Sequence, residues 1–154
     1  MGRDTTGVAG IRIGKGDRVV GMVVVKREAS LLVVTELALG KLTNVDEYRA
    51  QGRGGKGILT VKRTERTGDV VGLLEVLPDD GLMLITRSGQ SLRCAVADIR
   101  ETGRVAQGVK LKNLEMGDVV AAIARVVADD KDGVGGDEGA DAGPDEQIEL
   151  TAEE

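Results

Sequence analysis

The stretch Gly68-Asp69-Val70-Val71-Gly72-Leu73-Leu74-Glu75-Val76-Leu77-Pro78-Asp79-Asp80-Gly81-Leu82-Met83-Leu84-Ile85-Thr86 decides the fold. Two short runs rich in Val, Ile and Leu flank Pro-Asp-Asp-Gly. Proline sets φ and glycine tolerates a positive φ, so the four residues read as a tight turn between strands. Upstream, residues 58–62 alternate apolar and polar and end in basic residues, as a half-buried strand does. Downstream, Ser88-Gly89-Gln90 turns the chain again and 91–96 makes a further run. The unit is four short strands, at 58–62, 69–77, 82–86 and 91–96.

The same unit recurs. Gly10-Ile11, Gly57-Ile58 and Gly108-Val109 are spaced by 47 and 51 residues. The Gly-Asp pairs at 16–17, 68–69 and 117–118, each leading into valines, are spaced by 52 and 49. Leu31-Leu32-Val33-Val34-Thr35 precedes Leu82-Met83-Leu84-Ile85-Thr86 by 51. Three anchors keeping one order and one period define an internal repeat. The first unit then has strands at 11–13, 18–25, 31–35 and 41–45. The third has strands at 109–111 and 118–127 and stops. Residues 45–50 and 96–100 read as either a single helical turn or a bend. The Gly-Asp pairs read as turns, with Asp bonding its own backbone.

Four strands per unit of about 50 residues is the arithmetic of a propeller-type blade. The expected class is all-β, a partial array of four-stranded blades, with repeats near 7–54, 55–105 and 106–127. Blades bury their faces on neighbours, so a partial array is expected to belong to a larger one or to self-associate.

Composition narrows the chemistry. The chain has 154 residues, no His, Phe or Trp, one Tyr and one Cys. Without histidine there is no imidazole base, Ser-His-Asp triad or His metal ligand. Without aromatic platforms there is no base stacking on single strands. Cys94 alone forms no internal disulfide and suits a reducing, cytoplasmic compartment. No apolar run approaches a membrane span. The net charge of −5 averages two regions. Residues 1–127 carry 20 Lys and Arg against 15 Asp and Glu, a surplus of 5. Residues 128–154 carry Lys131 against 11 acids, a deficit of 10. The body admits an anionic partner. The acidic tail, rich in Gly and poor in large apolar residues, reads as disordered, and both a competitor for the basic surface and a passive solubilising extension stand. It mimics a calcium loop at Asp130, Asp132 and Gly133, but Ala128 and Gly139 occupy the first and twelfth positions, so no metal site is expected.

The connector Gln51-Gly52-Arg53-Gly54-Gly55-Lys56-Gly57 has four glycines in seven residues. Glycine lets a backbone approach a partner closely, and Arg53 and Lys56, with Arg49 before them, suit phosphates. Its counterpart, residues 100–108, repeats the layout of arginine followed by glycine through Arg100, Gly103 and Arg104. From the residues alone, a flexible soluble linker and a phosphate-backbone site both stand. A Walker loop does not, because Gly57 follows Lys56 where a hydroxyl residue is required.

These residues resemble the C-terminal β-pinwheel domains of DNA gyrase A subunits, whose signature box reads Gln-Arg-Arg-Gly-Gly-Lys-Gly. Residues 51–57 match it at six of seven positions, with Gly52 in place of an arginine. Gly10-Ile11-Arg12-Ile13, Gly40-Lys41, Thr64-Glu65-Arg66 and residues 103–109 are similar to the family too, so the resemblance spans about 7–127. It implies a module that binds and wraps duplex DNA on a basic rim and supports ATP-dependent negative supercoiling by the whole enzyme. It also implies, as partners, the remaining A-subunit blades, the catalytic domain and the gyrase B subunit, with ATP and magnesium bound elsewhere in the assembly and no cofactor here. The box here is of the degenerate kind, and Leu42 stands where the family often has a base. Tyr48, inside a repeat after Asp46-Glu47, reads as a packing residue, so no catalytic site is expected in this chain. The expected DNA-binding residues are Lys41, Arg49, Arg53, Lys56, Arg93, Arg100 and Arg104, with Lys62, Arg63, Lys110 and Lys112 as second choices. The rival expectation is a protein-interaction module docking through exposed blade edges.

Overall fold

The two runs on either side of Pro78 are neighbours in sequence but enter different sheets. The computed structural model describes residues 3–25 and 29–127, so the expectation for residues 128–154 lies outside the described residues. The strands are β1 (Ser30–Thr35), β2 (Leu39–Asn44), β3 (Val70–Val76), β4 (Gly81–Thr86), β5 (Ser91–Ala95), β6 (Val109–Lys110) and β7 (Val120–Val126). Single 3-10 turns at Val45–Glu47 and Val96–Asp98 settle the choice between a bend and a helical turn. The first sheet has the order β3-β1-β2-β6 and the second β5-β4-β7, with every pairing antiparallel.

This order corrects the expected equivalence of repeat and blade. In the first sheet, β1 and β2 come from the first repeat, β3 from the second and β6 from the third. In the second, β4 and β5 come from the second repeat and β7 from the third. First- and second-position strands therefore pair with fourth- and third-position strands of earlier repeats. Among the described residues, 11–13, 18–25 and 58–62 have no such earlier strand to join. They form no strand, apart from an isolated parallel bridge between Ile11 and Gly55. Val19, Met22 and Val24 are accordingly exposed.

Turn chemistry follows the sequence. Leu77 C=O accepts from the Asp80 amide at 3.1 Å, and the buried Asp80 carboxylate accepts from the Leu77 amide at 2.8 Å. Gly16, Gly68 and Gly117 have φ of 84°, 67° and 82°, so all three Gly-Asp pairs sit in turns, and those at 68–69 and 117–118 lead into β3 and β7. The repeat persists in detail: register shifts fall between Val34 and Thr35 and again between Ile85 and Thr86, 51 residues on.

Register assigns the faces, since residues directly opposite share one. Leu32, Leu42 and Leu74 lie in one row of the first sheet, and Leu84, Leu92 and Ile123 in one row of the second. These rows meet in a single core with Val34, Val76, Leu82, Val96, Ile99 and Val120. Close packing explains Gly72: a Cβ there would stand 3.1 Å from Ile123 Cδ1. The other row of the first sheet is Val33, Lys41 and Leu73. Gly21 sits against Leu73, where a Cβ would meet Cδ2 at 3.2 Å. Val33 and Lys41 are also buried, so β1 is covered on both faces, which suits its β-branched residues.

Candidate nucleic-acid interface

The first connector leaves β2 through a capped turn. Asn44 Oδ1 accepts from the Asp46 amide at 2.9 Å. Tyr48 is half-buried with its hydroxyl on that of Thr60, in agreement with a packing role. Beyond it, Arg49, Arg53 and Lys56 are exposed. The glycines between them serve the chain's own packing: the Gly54 amide donates to Gly10 C=O at 2.9 Å, and the Arg12 amide to Gly55 C=O at 2.8 Å. Gly54 and Gly57 have φ of 72° and 78°. The box is thus held by hydrogen bonds to residues 10–12, and the exposed Arg12 joins its rim. Sequence reasoning missed Arg12, because the pairing of 10–12 with 54–55 has no local signal.

The second connector runs back from the second sheet along β2. The Thr102 amide donates to Leu42 C=O at 2.8 Å and the Leu111 amide to Ala38 C=O at 2.8 Å. Gly108, at φ 96°, lies so close to β2 that a Cβ would stand 2.6 Å from Gly40 O. Arg100 is exposed, whereas Arg104 is half-buried. The Arg104 amide donates to Glu47 Oε2 at 3.0 Å and its Nη1 to Leu59 C=O at 2.9 Å. That last bond ties the second connector to the segment following the first, which makes the two connectors contiguous.

Lys41 occupies a different place from the one expected. It is 1% exposed, and its Nζ donates to the carbonyls of Gly103, at 2.7 Å, and of Arg104. Burial pushes its ammonium below the ordinary lysine range; Glu47 offsets this in part, and Arg104 adds to it. A lysine so engaged does not reach a ligand on the surface. Arg93 is exposed on β5, opposite Met83, on the face of the second sheet turned away from the core. Of the second choices, Arg63 pairs with Asp69 at 2.9 Å, Lys62 and Lys110 are exposed, and Lys112 is half-buried.

Among the described residues there are only two ion pairs, Arg63–Asp69 and Arg125–Asp80, the latter at 3.8 Å. The charged ends of Arg49, Arg53, Lys56 and Arg100 meet no hydrogen-bond or ion-pair partner among them. Cys94 is half-buried, and burial pushes its thiol up, away from thiolate chemistry. No group of three or more acidic or Cys side chains among the described residues could hold a metal ion. No helix among them is long and apolar enough to cross a membrane. The arrangement offers exposed cations without acidic partners to an anion.

Comparison with known proteins gives a consistent set of matches. Residues 1–26, 29–76 and 81–126 match the family described as DNA gyrase C-terminal domain, beta-propeller. The chain is 44% identical over 131 residues to the DNA gyrase A subunit of Mycolicibacterium smegmatis, covering 85% of this chain and 16% of that protein. It is 44% identical over 140 residues to the DNA gyrase A subunit of Staphylococcus aureus, covering 90% of this chain and 16% of that protein. The chain therefore spans 16% of the length of these relatives. A solved DNA gyrase A C-terminal domain superposes with a TM-score of 0.73 at 28% identity, covering 79% of this chain and 41% of that one. The C-terminal domain of DNA topoisomerase IV superposes with a TM-score of 0.73 at 22% identity, covering 80% and 39%, a likeness of fold.

Proposed function

This chain belongs to the DNA gyrase C-terminal domain family, and from that premise we propose that its body binds duplex DNA through phosphates and bends it along the connector surface. The single observation that carries the reading is the contiguous pair of connectors presenting Arg49, Arg53, Lys56 and Arg100 with no acidic partner among the described residues. Each guanidinium or ammonium neutralises a phosphate and releases condensed counterions, which favours binding entropically. Base edges are not read, because nothing on the connectors has the length or regularity of a groove-entering helix or ribbon. Specificity then comes only from how readily a sequence bends.

Within a whole gyrase, the module would wrap a DNA segment and present it for strand passage during ATP-dependent negative supercoiling. ATP, magnesium, the catalytic domain, the remaining A-subunit blades and the B subunit belong to that assembly, in the cytoplasm. By itself the chain is a binding module, not an enzyme. Titration of duplex DNA at several salt concentrations tests the reading: steep loss of affinity with salt is expected, and the absence of binding at about 50 mM salt refutes it.

A second reading rests on a separate observation. Residues 18–25, with Gly21 against Leu73, have no strand partner, and the outer edge of β5 is unpaired among the described residues. Both would be covered by further repeats or by self-association. A sedimentation coefficient matching a monomer at all concentrations excludes the second of these.

A further inference from the structure

Lys41 is a charged side chain buried in the middle of a β-strand, and the phosphate-binding reading makes no direct use of it. Its surroundings show what it does. Opposite it on β1 is the buried Val33. Over it lies the second connector, with the carbonyls of three consecutive residues turned toward β2. Thr43 Oγ1 donates to Thr102 C=O at 3.2 Å, and Lys41 Nζ donates to Gly103 C=O, at 2.7 Å, and to Arg104 C=O. Glu47 closes the arrangement by accepting from the Arg104 amide at 3.0 Å. A buried ammonium needs acceptors, and these carbonyls supply them.

The equivalent positions of the second repeat show that this set is not a general feature of the strand. Fifty-one residues on, Lys41, Thr43 and Tyr48 become Leu92, Cys94 and Ile99, and Gly40 becomes Ser91. Leu92 and Cys94 pack against the apolar core between the sheets. The same strand position thus takes an aliphatic side chain where a neighbouring sheet covers it and a lysine where a connector's carbonyls do. Gly40 belongs to the same design, because a Cβ there would meet Leu111 Cδ1 at 2.5 Å.

We propose that Lys41 is a positioning residue for DNA binding: it latches the backbone of Gly103 and Arg104 onto β2 and so fixes where Arg100 is presented, without touching the phosphate. The proposal rests on the phosphate-binding reading for its last step and on geometry alone for the latch. Methionine nearly matches lysine in length and removes the ammonium, so Lys41→Met is the test, made on the full chain in two measurements. Hydrogen exchange without DNA should show the amides of Thr102, Arg104 and Ala106 exchanging roughly tenfold faster or more, the size expected from losing bonds to a charged donor, with the β4–β7 ladder unchanged. Titration with duplex DNA should show the slope of log K against log salt flattened by about 0.9, for the loss of the Arg100 contact. In an Arg100→Ala, Arg104→Ala background, Lys41→Met should flatten it no further. Lys41→Arg, which keeps a cationic donor, should restore part of both effects. If Lys41→Met does not fold, Thr43→Val loosens the same connector and should move both readouts in the same direction by less.

Unchanged exchange overturns the latch. Faster exchange with an unchanged slope overturns the positioning role and leaves Lys41 a purely structural residue. Further flattening in the double-alanine background overturns it in favour of direct contact. A wild-type chain that binds no duplex refutes the DNA reading and the positioning role with it, while the exchange result still decides whether the latch exists.

Discussion

Removing Arg49, Arg53 and Lys56 together, each as alanine, tests the phosphate-contact reasoning most directly. The three side chains are exposed and engage nothing among the described residues, so their loss should change stability by no more than about 0.5 kcal/mol. The backbone between them stays in place, because its bonds to Gly10 and Arg12 involve main-chain atoms only. Any change in DNA affinity then reports lost contacts and not a lost fold. If these three and Arg100 each neutralise one phosphate, the wild-type slope of log K against log salt is about −3.6. Affinity then falls about 150-fold between roughly 50 and 200 mM salt. The triple variant keeps a slope of about −0.9 and loses only about 3.5-fold over the same range. Fluorescence anisotropy with a labelled duplex across a series of salt concentrations measures both slopes. A triple variant whose slope lies within about 1 of wild type refutes the assignment, even if its affinity is lower at every salt.

Three other substitutions probe what holds the connectors and turns. Gly108→Ala places a Cβ 2.6 Å from Gly40 O at a φ of 96°, and should cost roughly 1–3 kcal/mol in urea unfolding; wild-type stability would show that the connector does not lie against β2 as described. Asp118 receives the Ser88 hydroxyl at 2.6 Å, which is the main cause of a carboxyl pKa held at about 2. A depressed folded-state pKa stabilises above the unfolded value near 3.8, and this contribution is lost as pH falls toward 2. Carboxyl-carbon NMR should show the Asp118 midpoint at about 2, and Ser88→Ala should raise it; an ordinary midpoint in wild type contradicts the hydrogen-bonded turn. Arg93→Ala should leave the salt slope unchanged within error, because its side chain is on the far face of the second sheet; flattening by about 0.9 would return it to the contact set.

Much of this fold could be read from the sequence because its signals are local. Pro78, Gly81 and Gly89 mark turns wherever they stand, and the runs between them are strands whichever partners they find. The pairing was not legible. A period near 50 is the same whether the four strands of a repeat pair together or are shared among three repeats. The pairing between β2 and β6 joins Gly40 to Val109, far beyond any local pattern. For the same reason, residues 18–25 and 58–62 read as strands and form none: their composition is right, but the strand each would join is not among the described residues. At the candidate interface, the exposure of Arg49, Arg53, Lys56 and Arg100 follows the glycine-and-base pattern of the connectors. Arg12 was missed because the chain's own folding, not its neighbours in sequence, brings it to the box.

Two adjacent positions on the fourth strand show why charge alone misleads in such an array. On β2, Lys41 faces the connector and Leu42 faces the second sheet. On β5, the corresponding residues are Leu92, turned to the core, and Arg93, turned to solvent. Each pair of positions carries one base and one leucine, and the two have exchanged places. A base at the first position is buried under carbonyls and makes structure. A base at the second stands on the face that, in the first sheet, a further sheet covers. Neither position lies on the connectors, where cations can meet an anion without being covered by the next layer. On the phosphate-binding proposal, the surface open to an anion is therefore set by which backbone crosses over which strand, and among the described residues the two connectors satisfy that condition.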